Sequence, residues 1–383
     1  MIIYVLVGLL SLISFSLTRH NGNIIVNRGL CIIFILFAGL SYTNGWDWYG
    51  YRDYYNYIQN NGFVAVNEYN EYGIEYLYLL YLYIIGLAGF GFGFFIFINS
   101  LIVNVLIYRA CKKIAINYGL FMFIYLSASY IRLELSTIRQ GLAVALIMIS
   151  YASILNEKRK NALLYILLAV AMHRSAMVVL IFLPFITLVK SRNIHYFIVL
   201  FAVPFIFASS EINKLFIHLL GYLNSGFFAV FVSKLITYLA MNAQATVNPQ
   251  AIIVLLLYLV AIYYCDFNNK KYTLLLNIMA CQVIISLYCT FLTQLIIMRI
   301  IYYFQVGWMC WLIILYTEYC KPKWLCLFLI LSVMLAKLTL NFRYESDRAV
   351  FFPYYNVFAS LIDDNYGRSQ EYILGKADEL QQE

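Results

Sequence analysis

Long apolar runs separated by short polar clusters restrict the fold of this chain more than any other feature. Runs such as "IIYVLVGLLSLISFSL" (residues 2–17) and "KWLCLFLILSVMLAKLTL" (residues 323–340) are long enough to cross the hydrocarbon core of a bilayer. Only 11% of the 383 residues are charged, and apolar and polar residues do not alternate as they do in barrel strands. We therefore predict an all-α polytopic membrane protein with about 12 transmembrane helices.

The basic residues lie in short clusters between the apolar runs, as the positive-inside rule describes. We predict that six clusters face the cytoplasm: residues 18–28, 108–113, 156–161, 190–193, 268–272 and 321–323. The outward segments are then 43–72, 132–138, 173–175, 210–248, 294–299 and the tail after 341. Topology explains the net charge of +8, so no nucleic-acid partner is expected.

Residues 74–90 conflict with the predicted alternation of inner and outer segments if they cross the membrane. Residues 74–90 and 91–108 cannot both span without moving the 108–113 cluster to the outer side. Tyrosines crowd residues 74–90 and favour the water–lipid boundary, so we predict a juxtamembrane helix on the outer face. A second external helix or helix pair is predicted within 210–248, from the helical spacing of its leucines.

No internal repeat or flexible linker divides the sequence. We predict one integral membrane domain over residues 1–345, with outer loops 43–90 and 210–248. Residues 346–383 form a C-terminal tail that we expect on the outer, periplasmic side, and no functional role is assigned to its last residues.

Arginines at the outer ends of apolar runs are candidates for function, because charge at this depth is costly. On one continuous helix, Arg132 and Arg139 would share a face and could bind one anion together, with Gln140 beside them. Arg299 lies at a further outer turn and is a candidate second anion contact. The alternative is that these side chains extend to the lipid headgroups as anchors, which we favour for Arg132 taken alone.

His173 interrupts two apolar segments at another outer turn, in "AMHRSAM". An imidazole there can accept or donate a proton near neutral pH without the cost of burying a charge. The alternative is a turn histidine that hydrogen-bonds a backbone carbonyl. Both interpretations stay open from the residues alone.

The first outer loop, "NGWDWYGYRDYYNYIQNNG" (residues 44–62), combines aromatic rings with carboxylates. A ring face covers the C–H side of a pyranose while a carboxylate binds its hydroxyls. The alternative is an aromatic belt at the headgroups, which leaves the aspartate between two tryptophans unexplained. We predict sugar contacts from Trp46, Trp48, Tyr51 and Asp53.

No Gly-rich phosphate loop, HExxH or GxSxG pattern occurs in the sequence, so nothing indicates nucleotide chemistry on the cytoplasmic side. The substrate is therefore expected to face outward or to be carried by lipid.

Four motifs together resemble the EpsG-type Wzy family, the polymerases of bacterial O-antigen and exopolysaccharide. They are "GWDWYGY", "EYGIEYLYLLY", "IRQGLAVAL" and, after a lysine-rich loop and a helix, "MHRSAMVVL". They follow the family's order and spacing over about the first half of the chain. The second half is similar mainly in hydropathy, with Arg299 and Pro353-Tyr354 as weaker matches.

The resemblance implies a GT-C-like glycosyltransferase architecture in the bacterial inner membrane, with an active site that faces the periplasm. It implies substrates linked to undecaprenyl diphosphate: a growing chain leaves its carrier, joins a new lipid-linked repeat unit and releases undecaprenyl diphosphate. Membrane lipids and a chain-length regulator protein are further expected partners.

The site residues take roles under this resemblance. Arg139, Arg299, Gln140 and Arg132 would bind the diphosphate and stabilise its charge as it leaves. His173 would act as the base for the acceptor hydroxyl, with Asp47 as the competing base. No cofactor is expected and no pattern demands a metal, although a divalent ion between the diphosphate and the acidic loop stays open.

Two other classes remain as alternatives. An O-antigen ligase, or another glycosyltransferase that uses lipid-linked sugars, would have a similar sequence. A lipid-linked oligosaccharide flippase or other transporter would also need arginines at membrane depth. A transporter is expected to show paired broken helices in two halves, and the five prolines show no such pairing.

Overall fold

The computed structural model describes residues 2–18, 23–71, 73–222, 236, 249–289, 294–360 and 367–382. Over these residues the secondary structure is helical, with no strand and one isolated antiparallel bridge between Ser41 and Asn356. The predicted all-helical class is confirmed for this part of the chain.

The described helices are numbered here in chain order. Helices α1 to α10 are Ile2–Thr18, Ile24–Gly39, Trp48–Asn61, Phe63–Glu71, Tyr76–Gly86, Phe92–Ile114, Tyr118–Tyr125, Ile131–Leu135, Ile138–Leu155 and Arg159–Met172. Helices α11 to α16 are Met177–Leu188, Arg192–Tyr222, Pro249–Tyr264, Lys270–Tyr288, Gln294–Ile301 and Gln305–Ile314. Helices α17 to α20 are Lys323–Leu340, Glu345–Phe351, Val357–Ser360 and Gln370–Gln382.

Among the described residues, four helices are long and apolar enough to cross a membrane: α6, α9, α14 and α17. Five shorter apolar helices, of 10–17 residues, are Ile2–Thr18, Ile24–Gly39, Tyr76–Gly86, Arg174–Leu188 and Gln250–Tyr264. These helices point to a membrane-embedded protein, while the total of about 12 spans stays a prediction.

The tyrosine-rich segment after the first outer loop forms a short helix. α5 has 11 residues, about 16 Å at 1.5 Å per residue, which is about half the thickness of a bilayer core. Its length agrees with the prediction that residues 74–90 do not cross. Within 210–248, α12 continues to Tyr222, and the rest of the predicted external helix pair lies outside the described residues, apart from residue 236.

The chain divides into two compact units. Unit one comprises Met1–Ala176 and Tyr316–Glu383, and unit two comprises Met177–Leu315. In unit one, α9 packs against α6 and α10, α2 packs against α6, and α1 packs against α7. In unit two, α14 packs against α11, α12, α13 and α16. The predicted boundary at residue 345 stays a prediction.

Asparagine side chains cap the N-termini of three helices in or beside the polar clusters. Asn23 accepts a hydrogen bond from a backbone N–H of α2, Asn117 from one of α7 and Asn269 from those of α14, at 3.0–3.4 Å. Each side chain satisfies a donor that would otherwise lack a partner at a helix N-terminus. The polar clusters between the apolar runs therefore also set where these helices start.

The helix expected to carry both Arg132 and Arg139 is broken between them. After a π-helical stretch at Leu126–Tyr130, α8 ends at Leu135, and α9 starts at Ile138. A Cβ at Gly141 would lie 2.6 Å from the Leu133 carbonyl oxygen, so α9 can pass this close to α8 only because a glycine is there. The prediction of one continuous helical face for the two arginines is wrong.

Two contacts within unit one join segments to which the sequence assigns the same side. Trp46 of the first loop donates a hydrogen bond to Asp347 of the C-terminal tail at 3.1 Å, and both segments are predicted to face outward. Asn156 donates to the Lys113 carbonyl oxygen at 3.4 Å, so two predicted cytoplasmic clusters touch. Membrane orientation itself stays a prediction.

Candidate functional site

The carboxylate of Glu75 connects three segments of unit one that are distant in the sequence. Its Oε2 accepts a hydrogen bond from Nη1 of Arg139 at 2.7 Å, and its Oε1 accepts one from the backbone N–H of Arg174 at 2.9 Å. Nδ1 of His173 lies 3.3 Å from the same Oε1. We call Glu75, Arg139 and His173 the Glu75 cluster.

Local breaks in the helices place the members of the Glu75 cluster. Glu75 is the extended residue before α5, and it follows a turn in which Gly73 has a φ of +90°, a conformation that favours glycine. Arg139 is the second residue of α9, directly after the break at residues 136–137. His173 ends α10 with extended backbone. Each side chain therefore projects from a helix end.

Two buried aromatic rings hold the Arg139 guanidinium. Its Cζ lies 5.6 Å from the centre of the Tyr51 ring and 5.4 Å from that of Tyr78. Cation–π contacts of this kind are worth about 0.5–2 kcal/mol. The side chain stays 21% exposed, while its Nε is buried without a hydrogen-bond partner. The guanidinium is therefore held in place and has one N–H group that lacks an acceptor, so it could bind a further acceptor such as a phosphate oxygen.

Glu75 is an anion in this setting. Burial raises the pKa of its carboxyl, but the nearby His173 ring, the Arg139 charge and the Arg174 backbone N–H outweigh burial and lower the pKa to about 2. At neutral pH the carboxylate can therefore accept hydrogen bonds but cannot donate one. The contact with His173 is close enough for a hydrogen bond but not aligned for one.

A second arginine–carboxylate cluster lies at the other end of the helix break. Asp347 of α18 is buried, and its carboxylate accepts from Nη2 of Arg132 at 2.9 Å and from Nε1 of Trp46 at 3.1 Å. The backbone N–H of Trp46 also donates to Oγ of Ser136 at 3.0 Å. These contacts fasten the first outer loop to the break, and they leave the Arg132 side chain 42% exposed.

The two arginines predicted to share one anion thus bind different carboxylates. Arg139 belongs to the Glu75 cluster, Arg132 pairs with Asp347, and the side chain of Gln140 is buried next to Arg139 in the sequence. The role of all three in binding a diphosphate stays a prediction. Arg299 lies exposed on α15 in unit two, and its predicted role also stays untested.

The predicted sugar-binding residues divide by exposure. Trp48 and Tyr51 are buried, and the Trp48 ring packs edge-on against neighbouring aromatic rings. Trp46 is half-buried, and Asp47 is exposed at the start of α3. Asp53 is also half-buried, and its carboxylate lies 3.5 Å from the Arg52 guanidinium. Trp46, Asp47 and Asp53 are therefore more open to a large ligand than Trp48 and Tyr51, and sugar binding by any of these residues stays a prediction.

Sequence reasoning missed Glu75 and Asp347, which build these clusters, and also the buried Arg368. Glu75 sits inside the "EYGIEYLYLLY" motif, and a carboxylate in so apolar a segment was a signal for a buried pair. Asp347 and the buried Arg368 lie in the tail that was given no role. Arg368 donates to backbone oxygens of Thr43, Ala349 and Pro353, at 2.6–3.1 Å.

Within the described ranges, no group of three or more His, Cys, Asp and Glu side chains is arranged to hold a metal ion.

Fold and site together define a class: a helical, membrane-embedded protein with paired arginines and carboxylates at the ends of its helices. The model of the EpsG family matches residues 26–356 of the 383, and the chain belongs to this family. Membership identifies a polysaccharide polymerase-type membrane protein, which is an enzyme of the polymerase or glycosyltransferase kind. Comparison with curated proteins and with solved structures gives no match.

Proposed function

We propose that this protein is an O-antigen polysaccharide polymerase of the bacterial inner membrane with a GT-C-like architecture. It joins repeat units linked to undecaprenyl diphosphate on the periplasmic side. The acceptor hydroxyl oxygen forms a bond to the anomeric carbon of the growing chain, and the bond from that carbon to the diphosphate oxygen breaks. The electron pair of the broken bond leaves with undecaprenyl diphosphate.

The Glu75 cluster is the observation that supports this proposal best. Departure of a diphosphate requires positive charge fixed near the leaving oxygens, and Arg139 is held by a carboxylate and two rings at the end of its helix. Because these partners fix the guanidinium in advance, little reorganisation is needed as charge develops. Arg139 is therefore the proposed main contact for the donor diphosphate, with Gln140 and Arg132 as secondary contacts.

His173 is the proposed base. The acceptor hydroxyl must lose its proton as it attacks, and an imidazole can take that proton at neutral pH. His173 belongs to the same cluster as Arg139, whereas the competing base Asp47 lies exposed at the start of α3. This proximity to the proposed diphosphate site favours His173 over Asp47.

The first outer loop is proposed to bind the sugars. Trp46 is the suited aromatic residue, because it is only half-buried and its position is fixed by Asp347 and Ser136. Asp47 offers an exposed carboxylate and Asp53 a half-buried one for sugar hydroxyls. A chain-length regulator protein is a proposed partner, and no cofactor is part of the proposed reaction.

A cell-free assay tests the proposal. Purified protein in nanodiscs is given the undecaprenyl-diphosphate repeat unit, and products are separated by gel electrophoresis. We expect a ladder of chains on the lipid carrier, lost in Arg139→Ala and His173→Ala and kept in Arg343→Ala, which removes an exposed arginine outside both clusters. Folded protein that makes no ladder, or that instead transfers glycan to lipid A core, contradicts the polymerase. A ladder that survives both site variants contradicts the proposed site.

A further inference from the structure

The Glu75 carboxylate has more partners than a simple ion pair needs. Oε2 faces Arg139, while Oε1 faces both the Arg174 backbone N–H and the His173 ring. One side chain, 8% exposed, thus contacts both the proposed diphosphate-binding residue and the proposed base. This division of its two oxygens is the observation from which the inference starts.

The charge of Glu75 decides which nitrogen of His173 carries the proton. An ionised carboxylate only accepts hydrogen bonds, so the ring nitrogen that faces it, Nδ1, is favoured as the N–H of the neutral imidazole. The other nitrogen, Nε2, is then the one with a lone pair. In an isolated imidazole side chain neither arrangement is enforced in this way.

We infer that Glu75 is a positioning residue that turns Nδ1 of His173 inward as an N–H donor and leaves Nε2 to take the proton of the acceptor hydroxyl. The same carboxylate fixes Arg139, so base and diphosphate-binding residue keep one geometry. The role of Nε2 rests on the proposed function, whereas the tautomer of His173 can be observed without it.

The groups around the carboxylate allow this arrangement. Arg139 approaches from α9, Arg174 follows α10 with its backbone N–H toward Glu75, and the rings of Tyr51 and Tyr78 pack on the Arg139 guanidinium. The Arg139 guanidinium and the Arg174 backbone N–H both favour an ionised Glu75. The contact between Glu75 and His173 is not aligned as it stands, and catalytic hydrogen bonds of this kind commonly tighten when substrate binds.

Glu75→Gln separates positioning from simple charge balance. A glutamine has one oxygen; when the charged Arg139 guanidinium keeps it, the NH₂ group takes the place of Oε1 and cannot accept from Nδ1–H. We therefore expect His173 to lose the Nδ1–H form in Glu75→Gln. If Glu75 only neutralises Arg139, the His173 tautomer does not change.

Magnetic resonance of protein labelled with ¹⁵N and ¹³C in histidine reads the tautomer directly. The chain has four histidines, and the His173 signals are assigned by their loss in His173→Asn. In proteoliposomes at neutral pH we expect Nδ1–H in the unmodified protein and in Glu75→Asp, and a shift toward Nε2–H in Glu75→Gln. The matched control is Asp347→Asn, which alters a buried carboxylate that contacts Arg132 and Trp46 and should leave the His173 signals unchanged.

Turnover gives a second, independent measure. We expect Glu75→Gln to lower kcat by about 10²–10⁴-fold with a smaller effect on KM, and Glu75→Asp to recover part of the loss. Glu75→Gln combined with His173→Ala should be much less slow than the product of the two single losses, because the part of the Glu75 effect that acts through His173 is already lost in His173→Ala and only the part through Arg139 remains. Glu68→Gln, an exposed carboxylate of α4, is the control that keeps full turnover.

The outcomes distinguish a failure of the positioning role of Glu75 from a failure of the proposed function. An Nε2–H tautomer for His173 in the unmodified protein, or a tautomer that Glu75→Gln leaves unchanged, overturns the positioning role even if the protein polymerises glycans. Fully additive losses of kcat in the variant that combines Glu75→Gln with His173→Ala also overturn the positioning role. An Nδ1–H tautomer that depends on Glu75 in a protein that makes no polymer keeps the positioning role and removes the proposed function. If Glu75→Gln does not fold, the unmodified protein and Glu75→Asp still give the decisive tautomer.

Discussion

Neutralising Glu75 should destabilise unit one by an amount that the Glu75 cluster sets. Burial raises the pKa of the Glu75 carboxyl, but contacts with His173, Arg139 and the Arg174 backbone outweigh burial and lower the pKa from 4.5 to about 2 in the folded protein. A shift of this size corresponds to about 3 kcal/mol of stability at neutral pH, at 1.36 kcal/mol per pKa unit. Because the side chain is 8% exposed, solvent screening removes little of it.

The pH dependence of the stability that Glu75 contributes follows from its lowered pKa. A group whose pKa is lower in the folded state stabilises the protein above its unfolded value and loses that contribution as the pH falls. The contribution of Glu75 should therefore be complete above about pH 5, decline by about 2 kcal/mol by pH 3 and vanish below the folded pKa. Glu75→Gln should lack this contribution at every pH.

Thermal unfolding of the detergent-solubilised protein, followed by fluorescence of its five tryptophans, measures the effect. Glu75→Gln should lower the apparent Tm at pH 7 by about 6 °C, at roughly 2 °C per kcal/mol. The difference between the two proteins should shrink as the pH falls from 5 to 3. A difference that stays constant over this range would show that the Glu75 charge does not stabilise the fold and would refute the ion-pair reasoning.

Three further predictions address other parts of unit one. Asp347→Ala should lower the free energy of unfolding by about 2–4 kcal/mol, because it removes a buried partner of both Arg132 and Trp46. Thermal unfolding measures this loss, and an unchanged Tm contradicts the prediction. Gly141→Ala should lower the free energy of unfolding by about 1–3 kcal/mol through its clash with a backbone carbonyl. Gly50→Ala, with open space at its Cβ, should be neutral or slightly stabilising. Equal Tm changes in the two variants would refute the close approach of α9 to α8. Arg139→Lys should lower kcat almost as strongly as Arg139→Ala, because an ammonium cannot reproduce the planar stacking and paired donors; near-normal kcat in the cell-free assay contradicts that view.

The helical class and several helix bounds follow from the sequence because they depend on local properties. Hydropathy and length indicate spans such as Ile138–Leu155 and Lys323–Leu340, and asparagines mark where helices begin. The short length of α5 agrees with a prediction made from tyrosine content and charge sidedness alone. These features need no knowledge of what each helix packs against.

The pairing of charges could not be predicted in the same way. Glu75 and Arg139 are 64 positions apart, and Arg132 and Asp347 are 215 apart, so only tertiary packing brings them together. The break at residues 136–137 has no proline, and the need for glycine at residue 141 appears only when α8 lies beside α9. A continuous helix was the natural expectation, and it placed Arg132 and Arg139 on one anion.

The most direct test of polymerisation is the stoichiometry between glycosidic bonds formed and undecaprenyl diphosphate released by the purified protein in nanodiscs. Product length is measured by mass spectrometry, and the freed lipid is quantified in the same samples. A polymerase predicts one undecaprenyl diphosphate for each repeat unit added, with both products lost in Arg139→Ala and retained in Arg343→Ala. Folded protein that releases no undecaprenyl diphosphate while supplied with the matching repeat unit, or that forms longer chains without releasing it, would contradict the proposed reaction.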